Sequence, residues 1–232
     1  MNVLKPLLLA MLSTLSATAA NAAWSVYDYT ATVTANTVID GNSFAAGSQV
    51  TGQVFILEGT TPGNDGWGYA GEVARYADTV NSFSVHTAGL DVSATGAGDA
   101  VVHNDRRLTR RGDAWQDIFS ASLTSEATTR FSSVAMGGGV SSLSFNLATP
   151  LAARSTATTS LALPGAVTPA LFTQDRTLRV SFASGANLDA QITGMSVSHL
   201  NQLAPVPEPA SAALLGLGLA GVGLLRRRQR AA

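Results

Sequence analysis

The sequence predicts an all-β fold for most of the chain, an antiparallel β-sandwich of jelly-roll type. Apolar and polar residues alternate at every second position in short segments of strand length. Clusters of Gly, Asn, Asp, Pro and Ser separate these segments, as expected for turns. Between the chain ends, no segment shows an apolar period of about 3.6 residues over the length of a helix. Together these observations favour two packed antiparallel sheets with roughly eight to eleven strands.

The alternating segments and their separators define the predicted strands and turns. The alternating segments are residues 27–33, 50–56, 82–86, 118–123, 140–147, 178–182 and 190–197. The separating clusters are residues 40–42, 62–66, 96–99 and 137–139. Because the last cluster is a run of glycines, residues 130–147 are predicted to form one hairpin.

The N-terminus has the features of a cleaved signal peptide over residues 1–22. Lys5 gives a positive start, and residues 6–15 form an apolar core of about ten residues. This core is too short to span a bilayer, which needs about 20 residues. Ala20 and Ala22 place small residues at the positions that signal peptidase reads, so we expect cleavage after Ala22. The Sec export machinery and signal peptidase are therefore expected partners.

Residues 210–225 are uncharged and predict a single short transmembrane helix. At 1.5 Å per residue this helix is about 24 Å long, slightly less than a hydrocarbon core of about 30 Å. Arg226, Arg227 and Arg228 follow directly, and the positive-inside rule places this topology stop in the cytoplasm. Residues 23–203 are then predicted to form an ectodomain outside the membrane.

Pro207, Glu208 and Pro209 stand just before the predicted membrane helix. Each proline fixes its own φ near −65° and drives the preceding residue toward an extended conformation. Residues 204–209 are therefore predicted to form an extended strip that a processing enzyme can bind. Glu208 supplies a negative charge for a cationic site. A plain proline-rich linker is the alternative, but it does not explain the Glu between the prolines.

The Pro-Glu-Pro triplet, the apolar segment and the Arg cluster together resemble the PEP-CTERM sorting signal of Gram-negative bacteria. The resemblance covers residues 206–230 and implies that residues 204–232 are a sorting signal. It implies processing near the triplet by a membrane enzyme, exosortase. It also implies transient anchoring in the inner membrane, followed by delivery to the cell surface or extracellular matrix. The family setting suggests a link to exopolysaccharide or biofilm.

The composition of residues 23–203 limits what the ectodomain binds. The chain has no Cys, so disulfides do not stabilise it, although export usually permits them. Acidic residues outnumber basic ones in this range, which contains no Lys. Nucleic-acid binding needs a positive field and is therefore not expected.

No catalytic or metal-binding motif is evident. The sequence lacks Gly-x-Ser-x-Gly, His-Glu-x-x-His and a phosphate-binding loop, so neither an enzyme nor a cofactor is expected. A hydrolase is a weaker alternative, with a glycosidase-type carboxylate pair drawn from Glu58, Glu72 and Glu126. Loop oxygens at residues 64–66 and 98–99 suit calcium, although such sequences are more often plain turns.

Trp67, Tyr69 and Trp115 are the candidate ligand-stacking residues. Flat aromatic rings on loops can stack on sugars, although loop packing is their commoner role. Residues 105–117 concentrate Arg beside Trp115. This segment predicts either a solvated hairpin tip with internally paired charges or an anionic-ligand patch. Its arginines are Arg106, Arg107, Arg110 and Arg111.

The function expected from these features is an exported, exosortase-processed protein of the cell envelope or extracellular matrix, of structural or adhesive type. A carbohydrate-binding module is the main alternative. Ice binding is weaker, because it needs a regular Thr array and the Thr residues of this chain are scattered.

Overall fold

The computed structural model describes residues 23–39, 41–63, 71–107, 115–124, 130–134, 139–151 and 156–201. Most of these residues lie in β-strands, and no α-helix occurs within the described ranges. The strands are β1 (Ala23–Val33), β2 (Thr37–Ile39), β3 (Asn42–Phe44), β4 (Gln49–Leu57), β5 (Val73–Thr87), β6 (Leu90–Arg107), β7 (Trp115–Thr124), β8 (Arg130–Val134), β9 (Val140–Ala148), β10 (Asp175–Phe182) and β11 (Asn187–Asn201). A 3-10 turn covers Pro169–Leu171.

Three predicted segments of the chain ends lie outside the described residues. They are the signal peptide, residues 1–22, the extended strip, residues 204–209, and the transmembrane helix, residues 210–225. Within the ranges that the structure describes, no helix is long and apolar enough to cross a membrane.

Eight strands form a closed antiparallel barrel in the order β5-β4-β1-β11-β10-β9-β7-β6, and β6 pairs again with β5. On its other edge, β6 pairs with two strands that lie end to end. Residues Asp91–Thr95 of β6 pair with β8, and residues Asp99–Arg107 of β6 pair with β7. β2 and β3 form a separate hairpin between β1 and β4. Residues Ala23–Leu200 form one compact unit.

The predicted β-sandwich is wrong, although the all-β class and the antiparallel pairing are confirmed. A sandwich needs two sheets, whereas here β5 pairs with both β4 and β6 and closes one sheet on itself. The register of β5 against β6 shifts twice between Tyr76 and Ser82, and Asp78 has a φ of 57° at this point. Such bulges bend and twist a long strand, which lets the sheet curl into a barrel.

Two further sequence predictions are wrong. Residues 96–99 are predicted as a turn, yet they lie in the middle of β6. A Cβ added at Gly98 would overlap the carbonyl oxygen of Ser122, so this glycine permits close strand contact. The hairpin predicted over residues 130–147 does not form, since β8 pairs with β6, and β9 pairs with β7 and β10.

Side chains from alternate strand positions fill the barrel. Five aromatic rings form a continuous path across it. The ring centroid of Phe119 lies 5.0 Å from that of Tyr27 and 5.1 Å from that of Phe145. Phe83 lies 6.2 Å from Phe145 and 6.1 Å from Tyr29. Tilted and edge-on pairs of this kind contribute about 0.5–1.5 kcal/mol each beyond simple area burial.

The connection between β9 and β10 covers one end of the barrel, which we call the plugged end. Its residues 156–172 are the plug segment. The hydroxyl of Tyr27 donates to the carbonyl of Pro164 at 3.0 Å, and the hydroxyl of Tyr76 donates to the carbonyl of Leu161 at 2.7 Å. These bonds attach the plug to β1 and β5. The buried plug residues are Thr158, Val167, Pro169 and Phe172.

The first and last strands of the barrel are neighbours. β1 lies beside β11, and just after β1 the amide of Thr34 donates to the carbonyl of Asp189 at 3.0 Å. Since the two strands are antiparallel, β1 begins and β11 ends at the same end of the barrel. That end is the plugged end.

We expect Gly52→Ala to destabilise the barrel by about 1–3 kcal/mol, because overpacking a filled core forces backbone shifts. A Cβ at Gly52 would overlap both the carbonyl oxygen of Ser84 and the hydroxyl of Tyr29, which are hydrogen-bonded to each other. Urea denaturation of the purified chain measures the change. Gly139→Ala is the control, since a Cβ there meets nothing within 4 Å. Equal stability of the two variants would show that the barrel accommodates a Cβ at position 52 without strain.

Candidate functional site

Most predicted site residues lie outside the described part of the chain. They are Ala20, Ala22, Trp67, Tyr69, Pro207, Glu208, Pro209, Arg226, Arg227 and Arg228. The roles assigned to them from the sequence stay predictions. Trp115 is described: it begins β7, is partly buried and lies opposite Arg107 of β6.

The Arg-rich segment, residues 105–117, is not the fully solvated hairpin tip that the sequence predicts as one of two alternatives, because one of its side chains is buried. Asp117 is completely buried, and its carboxylate accepts the amide protons of Asp105 at 2.8 Å and Thr158 at 3.0 Å. Asp105 has a φ of 51° at an irregular point of the β6–β7 pairing. Asp117 therefore holds both a strained turn of β6 and the start of the plug segment.

Other charged residues of the plugged end form ion pairs. The Nε atom of Arg107 lies 2.6 Å from a carboxylate oxygen of Glu72, and Glu72 also accepts the backbone amide of Arg107. At Asp99, both carboxylate oxygens accept hydrogen bonds, one from the side chain of Arg75 and one from the amide of Asp78. Glu72, just before β5, therefore connects this segment to β6, and Asp99 connects β6 to β5.

The histidines are placed in three different environments. His86 pairs with exposed Asp91 at 2.8 Å, whereas His103 is buried and its Nδ1 atom lies 3.4 Å from a guanidinium nitrogen of Arg106. His199 lies near the end of β11. No group of three or more His, Cys, Asp or Glu residues in the described ranges is arranged to hold a metal ion.

Ser25, Glu58 and His199 form a polar cluster at the plugged end, and we call it the Ser–Glu–His cluster. One oxygen of Glu58, Oε1, accepts from the Ser25 hydroxyl at 2.6 Å and lies 2.6 Å from Nδ1 of His199. The hydrogen bond from Ser25, followed by that from His199, lowers the pKa of Glu58. Because the ionised carboxylate only accepts, His199 carries its proton on Nδ1 toward Glu58.

A cavity of about 250 Å³ lies against this cluster. Its walls combine the cluster with Thr60, Tyr76 and Leu163. Burial raises the pKa of Tyr76, so its hydroxyl stays protonated and holds the plug at Leu161. The cavity thus joins polar groups from β1, β11 and the segment after β4 to an apolar wall from the plug.

The Ser–Glu–His cluster lacks the geometry of a catalytic triad. In a triad the base contacts the nucleophile through one ring nitrogen and the acid through the other. Here Nδ1 of His199 faces both partners, with the Ser25 oxygen at 3.4 Å and Glu58 at 2.6 Å. Ser25 is also only 2% exposed. The arrangement therefore does not prepare Ser25 for nucleophilic attack.

Sequence reasoning did not find this cluster. Glu58 and His199 are 141 positions apart, and they meet because β4 and β11 both pair with β1. Glu58 was predicted as a hydrolase candidate with Glu72 and Glu126; Glu72 instead pairs with Arg107, and Glu126 lies outside the described ranges. No local pattern signals the cluster, since its members come from separate strands.

The fold defines a closed antiparallel β-barrel domain with a polar cavity at its plugged end. The family of the C-terminal tail comes from a separate finding: residues 205–228 match the model of the PEP-CTERM protein-sorting motif. The match confirms the resemblance of this region to a PEP-CTERM signal. The motif implies export, processing by exosortase, and a surface or membrane-associated location. No curated protein and no solved structure matches the chain.

We expect Asp117→Ala to lower the free energy of unfolding by about 2–5 kcal/mol. Two buried amide donors, those of Asp105 and Thr158, would lose their acceptor, and such unsatisfied groups are costly. Urea denaturation measures the effect. Asp189→Ala is the control, since its pair with Arg179 is exposed and contributes at most about 1 kcal/mol. A loss no larger than that of the control would contradict the anchoring role of Asp117.

Glu58→Gln should change how stability depends on pH. The folded-state pKa of Glu58 is lowered, so its contribution is present above the unfolded value of 4.5 and is lost as pH falls through the folded pKa. The thermal midpoint of the native chain should therefore fall more steeply on acidification below about pH 5 than that of the variant.

The control for this pH experiment is Asp91→Asn, whose carboxylate is 60% exposed. It should follow the native curve on acidification. Identical pH profiles for the native chain and Glu58→Gln would mean that the Ser–Glu–His cluster does not stabilise the fold.

Proposed function

We propose that this chain is an exported, exosortase-processed protein of the cell envelope or extracellular matrix, with a structural or adhesive role. The observation that carries the proposal is the match of residues 205–228 to the PEP-CTERM sorting motif. The ectodomain is anchored only transiently in the inner membrane and then reaches the surface or the matrix. A link to exopolysaccharide or biofilm follows from the family setting of the motif.

The topology of the barrel supports delivery of the domain as one folded unit. Each of the eight barrel strands pairs on both sides, and within the described ranges the five-residue strand β8 pairs with β6 alone, so little edge is left to recruit other strands. β11, the last strand, ends shortly before the motif begins at residue 205. A processing enzyme that cuts after the barrel leaves every strand in place. Release from an anchor is therefore compatible with an intact ectodomain.

Carbohydrate binding is the second candidate function. Stacking by Trp67, Tyr69 and Trp115 stays a prediction, because the first two residues lie outside the described ranges. The cavity beside the Ser–Glu–His cluster gives this function an independent basis, since convergent polar groups in a concave site are typical of ligand binding. A hydrolase based on Glu58 and Glu72 has no comparable support.

We expect the mature protein from its host to end near residues 207–209, and to do so only when exosortase is present. Mass spectrometry of the C-terminal peptide, in strains with and without the enzyme, measures this. An intact tail that ends at Arg230 or Ala232 in both strains would show that residues 210–225 are a permanent anchor and that the sorting proposal is wrong.

Two variants test whether processing requires the Pro-Glu-Pro triplet. Glu208→Ala changes the centre of the Pro-Glu-Pro triplet and should leave the tail unprocessed. Gln229→Ala, one residue beyond the matched motif, should be processed like the native chain. Equal processing of both variants would show that cleavage does not depend on Glu208.

A further inference from the structure

We infer that the cavity at the plugged end is a binding site for a single neutral sugar residue. The inference rests on the second candidate function, carbohydrate binding, and it does not depend on the sorting of the chain. The cavity, about 250 Å³, is lined by the Ser–Glu–His cluster together with Thr60, Tyr76 and Leu163. None of these residues is an aromatic predicted from the sequence to stack on sugars.

Thr60 gives the first indication of a ligand. Its hydroxyl oxygen is buried, and no group in the described part of the chain hydrogen-bonds to it. A buried hydroxyl without a partner costs about 1–3 kcal/mol, so such groups need an explanation. Thr60 also lines the cavity. A change of the χ1 rotamer of Thr60 would turn this hydroxyl toward the cavity, where a ligand hydroxyl would supply the missing partner.

The polar groups of the cavity favour a ligand that donates hydrogen bonds. Glu58 uses Oε1 for Ser25 and His199, which leaves its Oε2 atom as an acceptor. The Nδ1 atom of His199 faces Glu58, so Nε2 is the ring nitrogen left for a ligand. Thr60 adds a hydroxyl that both donates and accepts. Several acceptors at one site match the hydroxyl groups of a sugar.

The charge of the lining residues excludes acidic ligands. Among the residues that the structure describes, no Arg or Lys lines the cavity, and the carboxylate of Glu58 would repel a uronate, sulfate or phosphate group. The apolar side of the cavity comes from Leu163 and Ala162 of the plug. This wall suits the C–H face of a sugar ring, and the cavity is at the small end of ligand sites.

The walls of the cavity are rigid enough to be preorganised. Ser25 and His199 belong to neighbouring strands, β1 and β11, while Glu58 follows β4 directly. The bond from Tyr76 to Leu161 fixes the plug wall against β5. Binding would therefore require little ordering of the protein, which favours even a small ligand.

Isothermal titration of the purified full-length chain tests the inference. The detergent must be non-glycosidic, because a sugar headgroup would compete for the site. Glucose, galactose and mannose are titrated as neutral probes, and at least one should bind with a Kd of about 1 mM, typical of so small a ligand. Glucuronate, which has the same ring and a carboxylate, should not bind.

Thr60→Val separates a ligand site from a structural cluster. The variant removes an unpaired hydroxyl, so its thermal midpoint should be unchanged or raised, while sugar affinity falls at least tenfold. Thr30→Val is the matched control, since Thr30 is exposed on the outer face of β1 and contacts Thr193. It should bind sugar like the native chain.

Several results would overturn the inference. Binding of none of the neutral sugars would do so, as would unchanged affinity in Thr60→Val. Binding of glucosamine without binding of any neutral sugar would show that the carboxylate selects an ammonium group instead. A lowered thermal midpoint in Thr60→Val would show that its hydroxyl has a structural partner.

Discussion

The pairing of the first barrel strand with the last is the constraint on which the structure depends. β1 and β11 are neighbours, so the ring closes only when the two ends of the domain meet. Closure leaves no free barrel edge and forces inward side chains into one shared core. Contacts so distant in sequence form slowly, because loop-closure entropy opposes them. An exported chain must therefore emerge completely before its barrel can close.

The plugged end shows how a filled barrel accommodates polar groups. The hydroxyls of Tyr27 and Tyr76 donate to carbonyls of the plug, whereas that of Tyr29 donates to the carbonyl of Ser84 inside the barrel wall. Asp117 binds amides of both β6 and the plug. Each bond satisfies a group whose burial would otherwise be costly. The plug is thus part of the fold, and it also forms one wall of the cavity.

The sorting region and the barrel provide separate kinds of functional information. The motif at residues 205–228 concerns export and processing, and it implies nothing about what the ectodomain binds. The chemistry of the barrel is therefore inferred from its own side chains. The Ser–Glu–His cluster lies beside a cavity. Its geometry differs from that of a catalytic triad, because Nδ1 of His199 faces both partners.

The sequence by itself determined the features that depend on short segments: the sorting motif, the strand segments such as residues 27–33 and 178–182, and the all-β class. Periodicity of two is a local property, and it is the same in a sandwich and in a barrel. Only the tertiary structure decided closure, the path of β6 through residues 96–99, and the meeting of Ser25, Glu58 and His199. These features depend on strand pairing between distant segments, which no local pattern encodes.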